Sequence, residues 1–176
     1  FGRFALDERL ERGIREAGFT DPRPIQVETI PAALAGRDVL GLAQTGTGKT
    51  AAFALPLLHR MLHQPRLRPR DERRPGPRVL ILAPTRELAL QIDAEIRTLA
   101  RFSRIQTLTI FGGVSARAQI DGLRKSPEIV VGCPGRMLDL LQQRALDLSG
   151  IESLVLDEAD HMFDMGFLPD IRRILA

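Results

Sequence analysis

Five short apolar runs mark the chain, at residues 38–43, 78–83, 107–111, 128–132 and 153–157. Each is rich in Val, Ile and Leu and nearly continuous, without the alternation of a half-buried strand. That is the pattern of strands covered on both faces in a parallel sheet. Between and around them the apolar positions change to helical spacing. Residues 6–17 place Leu6, Leu10, Ile14 and Ala17 on one face, and 25–35 predicts a second helix with Pro31 inside it as a kink point. Further helices are predicted over 49–63, 86–101, 115–124, 136–143 and 166–176. Strands alternating with helices predict an α/β layered fold with helices on both faces of a mostly parallel sheet.

One stretch breaks this rhythm. Residues 64–77 hold four prolines, a run of charges and one glycine, which predicts an exposed loop. A solvated loop and a basic contact for RNA or another partner are both open readings of it. At 176 residues the chain has the length of one domain, here 1–176. The hydrophobic fraction of 44% and charged fraction of 27% exclude a wholly disordered chain. No apolar run is long enough for a membrane helix. A single cysteine, Cys133, excludes an internal disulfide framework and a cysteine-based zinc site, and fits a reducing, cytoplasmic setting. The net charge of +3 permits a polyanionic partner without requiring one. Of the 25 basic residues only Lys49 and Lys125 are lysine. A lysine kept at position 49 of an arginine-rich chain points to a task for a compact ammonium on a flexible stem.

The unusual residues follow the apolar runs. Ala43-Gln44-Thr45-Gly46-Thr47-Gly48-Lys49-Thr50 follows the first, Pro84-Thr85-Arg86-Glu87-Leu88 the second, Gly112-Gly113 the third, and Cys133-Pro134-Gly135-Arg136 the fourth. Asp157-Glu158-Ala159-Asp160 closes the fifth. Ligands of open α/β sheets bind outside the carboxyl ends of the strands, so these segments predict one functional face. Residues 43–50 have the composition of a phosphate loop. Glycines let backbone N–H groups wrap a phosphate, the helix start adds its positive end, Lys49 reaches the outer phosphates, and the Thr50 hydroxyl suits magnesium. A glycine normally stands six residues before the lysine, where this chain has Ala43. Asp157 is placed to hold magnesium through water, and Glu158 to take a proton from an attacking water. Upstream, Gly18-Phe19-Thr20-Asp21-Pro22-Arg23-Pro24-Ile25-Gln26 leads into a helix. The Gln26 amide suits the adenine N6/N7 edge, and equally suits a helix cap. Phe1 is read either as stacking on a base or as a core residue. His59, His63 and His161 lack metal-ligand spacing and read as surface or packing residues.

Together these segments resemble the DEAD-box RNA helicase family, specifically its first RecA-like domain. The resemblance covers nearly the whole chain and rests on a literal Asp-Glu-Ala-Asp at 157–160 together with the other segments in the family's order. Met165-Gly166-Phe167 is similar to the bacterial RhlE-type branch. The resemblance implies an ATP-dependent RNA helicase using ATP and Mg2+. Residues 1–35 would form an adenine-recognition extension, with Phe1, Phe19, Arg23 and Gln26 at the base and Ala43 to Thr50 at the phosphates. Thr50, Asp157 and Glu158 would serve the metal, largely through water, with Lys49, Asp157 and Glu158 as the catalytic set. Pro84, Thr85, Arg86, Gly112, Gly113, Cys133, Pro134, Gly135 and Arg136 would grip one RNA strand by its backbone, without sequence preference. Asp160 would couple nucleotide state to RNA.

Two departures from the family accompany this. Cys133 stands where threonine is usual, which removes one hydroxyl from the phosphate grip. The chain also stops before the family's Ser-Ala-Thr motif and second RecA-like domain, so this portion is expected to bind adenine nucleotide, to hydrolyse it very slowly, and to unwind nothing alone. A DNA helicase of the same superfamily, a nucleotide-gated RNA clamp without turnover, and a metabolite kinase are the rival readings. Oligomeric state is left open by the sequence.

Overall fold

The structure, a computed structural model, describes residues 1–44, 46–64 and 76–176. The chain divides into two compact units. The first comprises residues 1–66 with 94–104, and the second comprises 67–93 with 105–176.

In the second unit four strands form one all-parallel sheet: β1 (Val79–Leu82), β2 (Thr107–Ile110), β3 (Ile129–Gly132) and β4 (Ser153–Leu156), in the order β2-β3-β1-β4. Four of the five apolar runs are therefore strands. The two central ones, β1 and β3, are buried at every position, which is why their sequences show no alternation. Each Val, Leu or Ile so buried contributes about 2 kcal/mol. Leu82 stands opposite Gly132 and Leu156, and Gly132 opposite Ile110, so all four strands finish level. At the opposite rim Arg78 donates to Glu152 Oε2 from Nε (3.0 Å) and Nη2 (2.8 Å), tying the entry of β1 to that of β4. Helices α5 (Ala116–Leu123), α6 (Pro134–Gln142), α7 (Ala159–Asp164) and α8 (Leu168–Ile174) complete this unit. Met137, Leu140, Met162, Ile171 and Ile174 from these helices join Leu80, Leu82, Ile110 and Val130 in one core.

The first unit holds α1 (Glu8–Glu16), α2 (Pro24–Leu34) and α3 (Lys49–His63). Helix α4 (Arg86–Leu99) contributes its residues 94–99 to the first unit and its earlier turns to the second. Leu10, Ile14, Ile30, Leu55 and Leu58 are almost fully buried. Asp7 caps α1 by accepting from the Arg9 backbone N–H, and its own N–H donates to His59 Nδ1 at 3.1 Å. His63 Nε2 lies 3.1 Å from the Asp7 carboxylate. Hydrogen bonds from the Arg9 guanidinium hold the Asp7 carboxyl well below the usual carboxylate range, while burial lowers the His59 imidazole. His59 is thus a half-buried packing residue, and His63 is a surface residue paired with Asp7. Among the described residues no cluster of three or more His, Cys, Asp or Glu could hold a metal ion.

Residues 38–43 correct the sequence reading. They form no strand, and Leu40 and Leu42 are each 89% exposed. A strand exists through its ladder partners, and among the described residues this run has none. Helix α7 was not anticipated either. Of the proline-rich stretch 64–77, residues 65–75 lie outside the described ones. Among the described residues no helix is long and apolar enough to cross a membrane.

Candidate functional site

In the first unit the phosphate-loop sequence forms a tight turn into α3. Gly46 (φ 79°) and Gly48 (φ 89°) both take left-handed backbone conformations that glycine adopts at little cost. Gly48 is the N-cap of α3, so Lys49 and Thr50 open the helix. Thr47 Oγ1 donates to the Gln44 carbonyl at 2.7 Å, and the Lys49 ammonium donates to the Ala43 carbonyl at 2.9 Å. Thr45 lies outside the described residues.

The glutamine segment is held against this turn. Gln26 is fully buried. Its Nε2 donates to the Gly48 carbonyl at 3.0 Å, and its Oε1 accepts from the Arg23 N–H at 2.9 Å. The Arg23 guanidinium donates to the Gly46 carbonyl. Gln26 therefore does cap α2, the plain alternative to base reading, and at the same time fastens the phosphate turn. One Nε2–H and one Oε1 lone pair remain for another partner. Phe1 and Phe19 meet edge to face at 6.1 Å. With Glu11, Ile14 and Arg15 they line a hollow of about 220 Å³.

In the second unit the level strand ends deliver the remaining segments to one edge of the sheet. Following the strand order, these are Gly112-Gly113 after β2, Cys133 to Arg136 after β3, Pro84 to Arg86 after β1, and Asp157-Glu158 after β4. Neighbouring parallel strands lie about 4.8 Å apart, so the first three segments span about 10 Å. Gly112 and Gly113 are exposed, and Gly113 is left-handed (φ 77°). The Arg86 guanidinium lies over the Phe111 ring, 4.7 Å from its centroid. Arg136 donates from both Nη1 and Nη2 to the Val114 carbonyl at 3.2 Å.

Cys133 is the N-cap of α6, and its side chain makes no capping bond. Burial, reinforced by Glu87, pushes its thiol up, which keeps it protonated at neutral pH and a poor nucleophile. Pro134 opens α6 at its first turn, where a missing N–H costs nothing.

Asp157 is buried at the end of β4, its backbone N–H donating to the Leu82 carbonyl at 3.0 Å. Its Oδ1 accepts from the Glu158 N–H at 3.1 Å. Glu158 is left-handed (φ 51°, ψ 50°), a conformation costing a non-glycine residue about 1–2 kcal/mol. Its carboxylate lies 3.4 Å from His161 Nδ1. Asp160 is exposed in the first turn of α7. A buried acid followed by a turned-out, half-exposed one is suited to fixed positioning at the first and proton exchange at the second.

A left-handed glycine turn opening a helix at a lysine, and a parallel sheet whose acid pair closes one strand, define a phosphate-loop α/β protein of RecA-like fold. The chain belongs to the DEAD/DEAH box helicase family, whose model matches residues 23–176. It is similar to the ATP-dependent RNA helicase CshA of Listeria monocytogenes, with 46% identity over 175 residues, covering 99% of this chain and 32% of that protein. It is also similar to the crystal structure of a hypothetical ATP-dependent RNA helicase from Sulfolobus tokodaii, with 40% identity and a TM-score of 0.83, covering 97% of this chain and 46% of that one. The chain thus spans about a third of the curated relative. These matches do not distinguish the RhlE-type branch suggested by residues 165–167.

Proposed function

We propose that this chain is the ATP-binding half of an ATP-dependent RNA helicase core, in which a second RecA-like domain closes over ATP and one RNA strand and so parts a short duplex. The observation that carries the reading is the single sheet edge holding three glycine- and arginine-bearing segments and the acid pair. The phosphate turn supplies inward N–H groups and the Lys49 ammonium for the β- and γ-phosphates of ATP, with ADP retained after hydrolysis. Gln26 reads adenine through its remaining donor and acceptor, with Arg23, Phe1 and Phe19 beside it. Because Gln26 also holds Gly48, base occupancy is felt directly by the phosphate turn.

Mg2+ favours one or two carboxylates together with substrate phosphates over an all-protein cage, so Asp157 and Glu158, with the Thr50 hydroxyl, would be the residues to hold it, largely through water. When bound it neutralises charge developing on the phosphates. Glu158 accepts the proton of the attacking water. Asp160 transmits the nucleotide's state to the RNA side. Pro84, Thr85, Arg86, Gly112, Gly113, Cys133, Pro134, Gly135 and Arg136 hold one strand through its sugars and phosphates. The proposed setting is the cytoplasm.

The test compares ATP turnover of the intact enzyme with single-stranded RNA and with DNA of equal length. RNA is expected to stimulate at least about tenfold more than DNA, since ribose 2′-hydroxyls distinguish the two. Stimulation by DNA alone would reject the RNA assignment in favour of a DNA translocase.

A further inference from the structure

Helix α5 buries one residue, and it is polar. Gln119 is 5% exposed, and its Nε2 donates to the Phe111 carbonyl at 2.8 Å. Among the described residues its Oε1 is the buried side-chain polar atom without a hydrogen-bond partner. A buried amide with half its capacity unmet is a poor choice for core stability, and an apolar side chain of similar volume would fill the place at less cost. The Gln119 amide is explained by what its one bond fixes.

That bond holds the last residue before the exposed Gly112-Gly113 turn. Phe111 carries the ring on which Arg86 stacks, and the turn continues to Val114, whose carbonyl Arg136 grips with two N–H groups. The backbone from Phe111 to Val114 is therefore held at both ends, by α5 at the Phe111 carbonyl and by α6 at the Val114 carbonyl, while Arg86 packs on the Phe111 ring. Glycine-rich backbone left free would sample many conformations, and ordering it on binding would weaken affinity.

We propose that Gln119 is a positioning residue for nucleic-acid binding: by locking the Phe111 carbonyl it presets the Gly112-Gly113 turn, and with it the Arg86 guanidinium, in a shape that receives a strand's sugar–phosphate backbone. The proposal rests on the RNA-binding reading above. Gln119 touches no strand itself, and the strand contacts remain those of the turn and the arginines.

The experiment measures binding of a fluorescent single-stranded RNA to this chain across a salt series, beside Mg·ATP affinity and thermal unfolding. Gln119→Met keeps the volume and removes the donor. It is expected to weaken RNA binding by about three- to tenfold, the worth of one such hydrogen bond. Mg·ATP affinity and the slope of log affinity against log salt should stay unchanged, because no phosphate contact is lost. Arg136→Ala, by contrast, should lower affinity and reduce that slope by about 1. Gln119→Leu, similar in size and with neither donor nor acceptor, is the companion variant. Unchanged RNA affinity in either folded Gln119 variant, with Arg136→Ala weakened, overturns the proposal. Failure of both variants to fold also overturns it, making Gln119 a folding residue. If Arg86→Ala and Arg136→Ala bind RNA as tightly as the unsubstituted chain, the RNA reading itself is what fails.

Discussion

Glu158→Gln will lower the ATP turnover of the intact enzyme by about 10²–10⁴-fold, the usual contribution of a general base, and leave Mg·ATP binding in place. The substitution is nearly isosteric. Glu158 makes no side-chain capping bond to α7, so the fold does not depend on its charge. Its neighbour in reach is His161, at 3.4 Å. Asp157, buried at the strand end, is untouched by the change. Steady-state turnover measured beside equilibrium nucleotide binding separates the outcomes. A large loss of turnover at constant affinity makes Glu158 the base. A parallel loss of both would make it a binding group, and unchanged turnover would place the general base elsewhere.

Gly48→Ala will weaken Mg·ATP binding by about ten- to a hundredfold. Two costs add. At φ 89° an alanine is held in the left-handed region, worth about 1–3 kcal/mol of strain. Its Cβ would also stand 2.5 Å from Gln26 Nε2 and 3.1 Å from Arg23 Cδ. Gln26 is fully buried and bonded at both ends of its amide, so relief requires breaking its bond to the Gly48 carbonyl. At 1.4 kcal/mol per tenfold, strain alone accounts for the lower bound. Gly46→Ala is the internal comparison. Its φ of 79° is similar, but its Cβ would meet nothing within 4 Å, so it should show the strain without the clash. Equal effects at both positions would show that the Gln26 contact contributes nothing. Calorimetric titration of the two variants decides this.

How much of this was legible in the sequence depends on what each feature requires. The runs that became β1 and β3 were readable because a strand covered on both faces must be apolar throughout, and those of β2 and β4, edge strands only partly buried, because they are short and rich in Val, Ile, Leu and Thr. Residues 38–43 have the same composition and form no strand, because pairing is a property of partners and leaves no mark in the run itself. Helix α7 has only six residues, too few for a period to show, and it begins directly after a left-handed glutamate that no propensity anticipates. The strand-end position of Gly112-Gly113, Cys133 to Arg136 and Asp157-Glu158 followed from the alternation of strands and helices. The double use of Gln26 was not legible, since either hydrogen bond alone would satisfy its sequence context. Gln119 passed unnoticed for a related reason. A glutamine in an amphipathic helix reads as surface until burial is seen, and its one available signal was a polar residue on the apolar side of α5.

The most direct test of the proposed chemistry is a crystal structure of the chain with Mg2+ and a non-hydrolysable ATP analogue. The account predicts the β- and γ-phosphates seated on the N–H groups of residues 46–50. The Lys49 ammonium should have left the Ala43 carbonyl for a phosphate oxygen, and the Asp157 carboxylate should reach the metal through water. An analogue bound elsewhere, or one bound at the glycine turn with Asp157 and Glu158 remote from its phosphates, would contradict it.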